Sequence, residues 1–202
     1  MKLQCLYSFI ACCFFLNTSA GEIIQIAKYK DNKSGAVSYT FDDGLRNQYL
    51  IAAPIMERQQ VTGTFFIIAG EVAANKGEAE MKKAGAWGGV TWDEIRSLAA
   101  KGFEIGNHTL AHKGLVNNVK DNAEAEKEIE ESADIIKKEI GIFPVSFCYP
   151  YNSRNENIEK LVHKRHAVAR NFQRGIGKND TTAKSVDKWI DELILKKDWA
   201  WS

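Results

Sequence analysis

The sequence predicts an α/β protein with a mostly parallel sheet, and two observations support the prediction. Short apolar strand patterns alternate with longer helical patterns along the chain, which is typical of linked β-α-β units. Polar clusters follow three of the strand patterns, where parallel α/β proteins place their active sites. The clusters are Asp42-Asp43, His108 and Tyr151-Asn152. Periodicity alone does not separate a closed barrel from an open sheet.

Three strands and two helices are predicted before residue 109. The strands are at 36–41, 62–69 and 103–108, and the helices are at 45–60 and 91–102. Pro54 is expected to kink or shorten the first helix, because proline lacks the N–H of a helical hydrogen bond. Thr91 and Glu94 form a capping-box pattern at the start of the second helix, and Gly102 is suited to end it. Residues 71–89 show no clear pattern.

The alternation of helices and strands continues to the end of the chain. Helices are predicted at 118–140, 155–165 and 185–197, strands at 145–151 and 166–172, and the start of a further strand at 198–202. The longest helix places Ile129, Ala133, Ile136 and Ile140 on one face, and Gly141 is expected to end it.

Length and composition are those of one globular domain. The chain has 202 residues, of which 45% are hydrophobic and 26% are charged. The formal net charge is +1, so the sequence offers no strongly basic surface and we expect no nucleic-acid partner.

Residues 1–20 have the pattern of a secretory signal peptide. Lys2 precedes a short apolar run, and a small-residue site ends at Ala20. The run is too short to span a membrane comfortably, so we expect 21–202 to form the mature domain, secreted to the periplasm or the extracellular space. An N-terminal anchor or a buried strand is the alternative. Removal of the signal leaves Cys148 as the only cysteine, so we expect no intramolecular disulfide.

The segment TFDDG places Asp42 and Asp43 directly after a predicted buried strand. The simple interpretation is a turn, because Asp-Gly is a common turn dipeptide. The alternative is a site in which one carboxylate binds a metal ion and the other accepts a proton.

The segment HTLAH contains two of the four histidines, His108 and His112. On a helical turn, side chains four residues apart lie on one face, so one cation can bind both. Two imidazoles and a carboxylate are a typical ligand set for a divalent metal with an open position for water. Thr109 stands where a zincin metalloprotease needs glutamate, so that class is disfavoured.

These segments together resemble the NodB-like polysaccharide deacetylases, carbohydrate esterase family four. TFDDG followed by HTLAH matches the first two motifs, FCYPYN stands in the place of the third, and the resemblance spans about residues 36–152. The resemblance implies a distorted (β/α) barrel. It also implies a hydrolase that removes N- or O-linked acetyl groups from a carbohydrate, such as a chitin-like oligosaccharide, peptidoglycan or xylan.

The resemblance also implies roles for individual residues. Asp42 would be the general base, and Asp43, His108 and His112 would bind a divalent metal, with zinc the expected ion. The backbone N–H of Tyr151 would help to hold the oxyanion; an aromatic side chain that closes a core strand is the alternative for this residue. Thr109 would steady the histidine loop.

The sequence departs from the family pattern at the third motif. Cys148 occupies the position of an arginine that usually pairs with the base. A cation beside a carboxylate favours its ionised form, so we expect another residue to take this role. Arg170, in the following predicted strand, is our candidate.

A second departure concerns the late histidine that the family uses as general acid on a C-terminal strand. His163 and His166 come too early to match it, and the chain ends at Ser202. We therefore expect the barrel to lack its last strand or strands in this chain, as in a C-terminally truncated domain.

Two other functions remain open from the sequence. One is a non-catalytic cell-wall or glycan-binding relative of the deacetylases, which the two departures favour. The other is an iron-dependent oxygenase, because two histidines and one carboxylate also form that metal site. The expected partner is an acetylated carbohydrate, and the sugar and the oligomeric state are not specified by the sequence.

Overall fold

The computed structural model describes residues 29, 33, 35–77, 88–175 and 181–196, and the backbone of 199–201. All secondary structure given below lies in one compact unit, Ser34–Ser202. The predicted signal peptide and most of the unclear segment at 71–89 lie outside the described residues. The division into 1–20 and 21–202 therefore stays a prediction.

The centre of the fold is a six-stranded sheet in which every strand pair is parallel. The strands are β1 (Ala36–Phe41), β2 (Gly63–Ile67), β3 (Glu104–Asn107), β4 (Ser146–Cys148), β5 (Val168–Arg170) and β6 (Trp199–Trp201). Their order is β5-β4-β3-β2-β1-β6. The strands form a curled, partial (β/α) barrel, which confirms the predicted fold class. The strand start predicted at 198–202 is also confirmed, since β6 pairs with Ala36–Ser38 of β1.

Five α-helices connect or flank the strands in the described part of the chain. They are α1 (Ala53–Arg58), α2 (Trp92–Ala100), α3 (Asn122–Ile140), α4 (Glu156–His163) and α5 (Ala183–Lys196). The prediction of one continuous helix at 45–60 is wrong in detail, because a π-helical turn at Gln48–Ala52 precedes α1. Pro54 lies in the first turn of α1, where its missing N–H costs least. None of the described helices is both long and apolar enough to cross a membrane.

The predicted helix caps at α2 and α3 are confirmed. The N–H of Glu94 donates to Thr91 Oγ1, at 3.3 Å, and the N–H of Thr91 donates to Glu94 Oε2, at 2.9 Å. Gly141 ends α3 with a φ of 77°, a left-handed conformation that glycine adopts at little cost. These caps fix the two helices that flank β3.

Two buried hydrophobic clusters hold the helices against the sheet. The first joins β2 and β3 to α2 and α3 through residues such as Phe65, Ile95, Leu98, Ile105 and Ile136. The second joins β4 to α3 and α4 through Ile129, Phe147, Ile158 and Val162. This packing anchors β1, β3 and β4 so that their carboxyl ends meet at one edge of the sheet.

Candidate active site

One cavity of about 440 Å³ lies at the carboxyl ends of the strands. It contains all five residues for which the sequence predicted a site: Asp42, Asp43, His108, His112 and Tyr151. Tyr149, Asn152, Arg170, Asn171, Phe172 and Gln173 also line it. The structure thus brings together residues from the ends of β1, β3, β4 and β5.

A tight turn after β1 allows both neighbouring aspartates to face this cavity. Asp43 has a φ of 71° and Gly44 a φ of 60°, so the alternation of side chains along the strand stops at Asp42. A Cβ atom on Gly44 would also lie 3.2 Å from Val90 Cγ2, a tight contact that adds to the conformational preference for glycine here. The Asp-Gly turn and the paired carboxylates are therefore parts of one feature.

The histidine pair lies in the loop that follows β3, and the two residues are not on a helical turn. Thr109 and His112 have φ values of 69° and 55°, which no α-helix contains. The N–H of Thr109 donates to Asn107 Oδ1, at 2.9 Å, and the N–H of His112 donates to Thr109 Oγ1, at 3.0 Å. These two hydrogen bonds fold the loop back so that both imidazoles reach the same space.

Sequence reasoning missed a buried polar network beneath this loop. The side chain of Asn107, which is 0% exposed, accepts at Oδ1 from Ser132 Oγ, at 2.6 Å. Its Nδ2 donates to the carbonyl of Ile129, at 2.9 Å, and lies 3.1 Å from His166 Nε2. The sequence contains one local signal for this network. Asn107 is a polar residue at the last position of a buried strand, directly before His108.

His166 fits this network as a neutral ring. Its Nδ1 lies 3.2 Å from the carbonyl of Val162 and its Nε2 faces the amide of Asn107, so one nitrogen donates and the other accepts. Burial lowers the pKa of His166 to about 4, against a weaker opposing effect of the bond to Val162. Neither His163 nor His166 is among the residues that line the cavity.

Asp43, His108 and His112 have the geometry of a metal-binding triad. Asp43 Oδ1 lies 3.4 Å from His108 Nε2 and 3.3 Å from His112 Nε2. Two ligand atoms bound about 2.1 Å from a zinc ion in tetrahedral geometry lie about 3.4 Å apart. The donor set and these two distances therefore fit a divalent ion, and all three ligand atoms lie within 4.8 Å of one another.

The surroundings of His108 support the same conclusion. Its Nδ1 lies 2.8 Å from the carbonyl oxygen of Cys148. This contact does not involve the ligand atom Nε2, but it orients the ring so that Nε2 faces Asp43. Burial alone would lower the pKa of His108, but the hydrogen bond to Asp43 and the side chain of Cys148 raise it to about 10. The site thus attracts positive charge, which a metal ion would provide in place of the proton.

Arg170 forms a two-pronged ion pair with Asp42. Its Nη1 lies 2.9 Å from Asp42 Oδ1 and its Nη2 lies 2.6 Å from Asp42 Oδ2. The guanidinium also donates to Thr40 Oγ1, at 2.7 Å, and to Cys148 Sγ, at 2.8 Å, and Arg170 is 7% exposed. Arg170 thus reaches the carboxylate from the strand after Cys148, as we expected.

A second group of metal-ligating residues in the same region is less suitable for a cation. Asp42, His108 and Cys148 also bring one ligand atom each within 4.8 Å of one another. The guanidinium of Arg170, however, contacts both Asp42 and Cys148 and repels a metal ion from that position. The triad with Asp43 is therefore the candidate metal site.

Tyr151 lies on the rim of the cavity with its ring in solvent. The side chain is 74% exposed, which is inconsistent with the alternative that it closes the core. Its ring centroid is 4.7 Å from that of His112, and its φ is 55°. A non-glycine residue held in this conformation carries strain, and such residues concentrate at functional sites.

Comparison with known proteins agrees with this fold. The model of the polysaccharide deacetylase family matches residues 29–168, which is more than half of the chain. The chain belongs to this family.

Individual relatives share the fold at low sequence identity. A de-N-acetylase from Aggregatibacter actinomycetemcomitans superposes with a TM-score of 0.63 at 17% identity, over 81% of this chain and 77% of that one. The deacetylase PplD of Streptococcus pyogenes, solved with acetate, gives a TM-score of 0.53 at 21% identity, over 63% and 51% of the two chains.

One curated relative that this chain matches is a much larger protein. A gellan lyase from a Bacillus species is 26% identical over 134 residues, which are 66% of this chain but 5% of that protein. The chain therefore corresponds to a small part of that relative and to about half of PplD.

Proposed function

We propose that this protein is a metal-dependent hydrolase that removes acetyl groups from a carbohydrate. The observation that carries the proposal is the placement of two carboxylates in different surroundings within one cavity. Asp43 lies between two imidazole nitrogens, whereas Asp42 is paired with Arg170. This division suits one carboxylate for binding a metal and the other for accepting a proton.

Each group of residues in the site has a separate role in hydrolysis. Asp43, His108 and His112 hold a divalent ion, which we expect to be zinc. Such an ion supplies a Lewis acid and a bound water of lowered pKa. Asp42 takes the proton of the attacking water at a carboxylate oxygen, and Arg170 holds that carboxylate in place through contacts to both oxygens. The backbone N–H of Tyr151 donates a hydrogen bond to the oxyanion of the tetrahedral intermediate.

The pairing of Asp42 with Arg170 favours this activity over the two alternatives. The absent arginine at Cys148 was an argument for a non-catalytic glycan-binding relative, and Arg170 supplies the cation from another strand. An iron-dependent oxygenase needs two histidines and one carboxylate, but it has no need of a second, arginine-paired carboxylate beside them.

Acetate release is the direct test of this proposal. The protein is stripped of metal, reloaded with zinc, and incubated with acetylated chito-oligosaccharides, peptidoglycan and acetylated xylan. We expect zinc-dependent acetate release from at least one substrate, its loss with a chelator, and its return when zinc is added back. Stoichiometric zinc binding without acetate release from any substrate would instead support the glycan-binding alternative. Oxygen consumption with ferrous iron would support the oxygenase.

We also propose that the protein is secreted, because Lys2 and the following apolar run have the pattern of a signal peptide. N-terminal sequencing of the protein made in a secreting bacterial host tests this. We expect the mature chain to begin at Gly21. Recovery of an intact N-terminus from the cytoplasm would contradict the proposal.

A further inference from the structure

The inner face of the curled sheet carries a phenylalanine that reaches two residues of the catalytic cavity. Neighbouring side chains of a strand point to opposite faces, and β2 contains two buried phenylalanines in succession. Phe65 lies in the hydrophobic cluster between the sheet and the helices. Phe66, which is 0% exposed, lies on the opposite face, where its ring contacts Arg170 and His108.

The Arg170 guanidinium is held at its edge and at its face by different side chains. Its N–H groups lie in the plane of the group and donate to Asp42, Thr40 and Cys148. The ring of Phe66 covers the face, with Arg170 Cζ 5.2 Å from the ring centroid, which is within the range of a cation–π interaction. The hydrogen bonds therefore fix the direction of the guanidinium within its plane, and the ring prevents the plane from tilting.

A glycine on the neighbouring strand leaves the space that this ring fills. Phe66 of β2 is paired with Gly106 of β3. A Cβ atom on Gly106 would lie 2.4 Å from Phe66 Cδ1 and 2.5 Å from Phe66 Cε1, much closer than two carbon atoms pack. Two residues after Gly106, the ring of His108 packs against the same phenylalanine, with the centroids 6.5 Å apart. The ring is thus confined, and it cannot turn away from Arg170 without leaving a void in a close-packed interior.

We propose that Phe66 is a positioning residue for the reaction, because its ring holds the Arg170 guanidinium in the orientation that binds both oxygens of Asp42. The inference rests on the proposed function, since it takes Asp42 as the base. Phe66 is fully buried and does not line the catalytic cavity, so it acts through Arg170 and not on the substrate. Loss of the ring leaves the arginine and its charge in place but lets the guanidinium tilt. The effect is therefore on kcat and not on KM.

The first test replaces each of the two neighbouring phenylalanines by methionine, which is apolar and adaptable but has no ring. In Phe66→Met, kcat for acetate release should fall about five- to tenfold, with KM and zinc content unchanged. Phe65→Met is the matched control, because Phe65 is equally buried on the same strand but packs against Phe41 and Phe103 on the other face. We expect the control to keep the wild-type kcat. An equal fall in both variants would show a general effect on the fold and would overturn the positioning role.

A double-mutant cycle tests whether Phe66 acts through Arg170. Phe66→Met is measured in the wild type and in Arg170→Gln, which lacks the group that the ring positions. We expect the methionine to lower kcat in the wild type but to change it by less than about twofold in Arg170→Gln, since residues that act as a unit are not additive. A fall by the same factor in both backgrounds would contradict the proposal.

A second variant displaces the ring without removing it. In Gly106→Ala, the new methyl group takes space that the Phe66 ring occupies, so the ring must move and kcat should fall. Gly106→Ala/Phe66→Met should have about the same kcat as Phe66→Met, because the ring that the methyl group displaces is already absent. A loss in the double variant equal to the product of the two single losses would show that Gly106 does not act through the ring and would count against the proposal.

A measurement without substrate separates failure of this proposal from failure of the proposed activity. In proton–nitrogen NMR spectra of the arginine side chains, the signals of Arg170 are those missing from Arg170→Gln. A guanidinium held at its edge and face rotates slowly, so we expect separate N–H signals in the wild type and in Phe65→Met, and merged or broadened signals in Phe66→Met. If this change is seen but no protein releases acetate, the hydrolase is wrong and the positioning role stands. Identical Arg170 signals in wild type and Phe66→Met would overturn the positioning role whatever the activity.

Discussion

The guanidinium of Arg170, at the end of β5, binds both carboxylate oxygens of Asp42, just after β1, with N–O distances of 2.9 and 2.6 Å. The two residues are 128 positions apart in the sequence. Cys148 lies against the same guanidinium, with its sulfur 2.8 Å from Nη2. A small side chain at position 148 therefore leaves the space that lets an arginine from the next strand reach the carboxylate.

Replacement of Arg170 by glutamine should impair catalysis more than it impairs metal binding. Without the guanidinium, the Asp42 carboxylate loses the hydrogen bonds that orient it. We expect kcat to fall about ten- to a hundredfold, which is at or below the roughly 10²–10⁴-fold that a general base contributes, because Asp42 itself is still present. Steady-state rates and the zinc content measure these effects.

Two further variants control for the loss of charge. Arg170→Lys keeps the charge but cannot bind both oxygens in the same way, so its rate should lie between those of the wild type and Arg170→Gln. Arg174→Gln removes an exposed arginine that lies over the ring of Trp189, and it should leave kcat unchanged. A kcat in Arg170→Gln equal to that of the wild type would show that Arg170 does not act on the base.

At position 151, the glycine variant should be more stable than the alanine variant but less active. Glycine relieves the strain of a φ of 55°, so Tyr151→Gly should have a free energy of unfolding about 1 kcal/mol greater than Tyr151→Ala. Both variants lose the ring, but the glycine also loosens the backbone N–H that we assign to the oxyanion. We therefore expect acetate release to decrease from wild type to Tyr151→Ala and further to Tyr151→Gly.

Chemical denaturation and steady-state rates measure this pair of effects. Equal kcat in the alanine and glycine variants would argue against a fixed backbone donor at this position. Tyr151→Phe serves as the control, because it keeps the ring and the backbone; its kcat should stay within about threefold of the wild type.

Acid should destabilise the fold through His166. The pKa of this buried ring is lowered to about 4 from the ordinary 6.5, so the unfolded chain binds the proton more tightly than the folded chain does. Stability is therefore lost as the pH falls from 6.5 towards 4, by up to about 3 kcal/mol. A proton on Nε2 would also face the Asn107 amide, which donates to it in the neutral state.

The measurement is the free energy of unfolding of wild type and His166→Gln between pH 7 and pH 4. The glutamine keeps an acceptor for Asn107 but does not titrate, so the decrease should be smaller in the variant. A decrease of the same size in both proteins would show that His166 is not the group responsible.

Much of the fold was predictable because its signals are local. The strand that ends at Phe41, the cap at Thr91 and the stop at Gly141 each depend on residues within a few positions of one another. The helix at 45–60 was predicted too simply, because Pro54 indicated a break but no local pattern indicated the π-helical turn that precedes it.

The site was predictable only where its residues are close in sequence. The spacing of His108 and His112 indicated one shared ligand, although the hydrogen bonds of Thr109 and not a helical turn bring them together. The link between Asn107 and His166 joins residues 59 positions apart, and no local pattern predicts such a pairing. We expected Arg170 to pair with Asp42 only because Cys148 stands where the family resemblance implies an arginine.

The assignment of separate roles to the two neighbouring aspartates is the central claim, and two isosteric variants test it most directly. Zinc per chain and acetate release are measured together in Asp42→Asn and Asp43→Asn. We expect Asp42→Asn to keep one zinc ion and to lose about a hundredfold or more in acetate release, and Asp43→Asn to lose both zinc and activity. Full activity in Asp42→Asn, or loss of its zinc, would contradict the account.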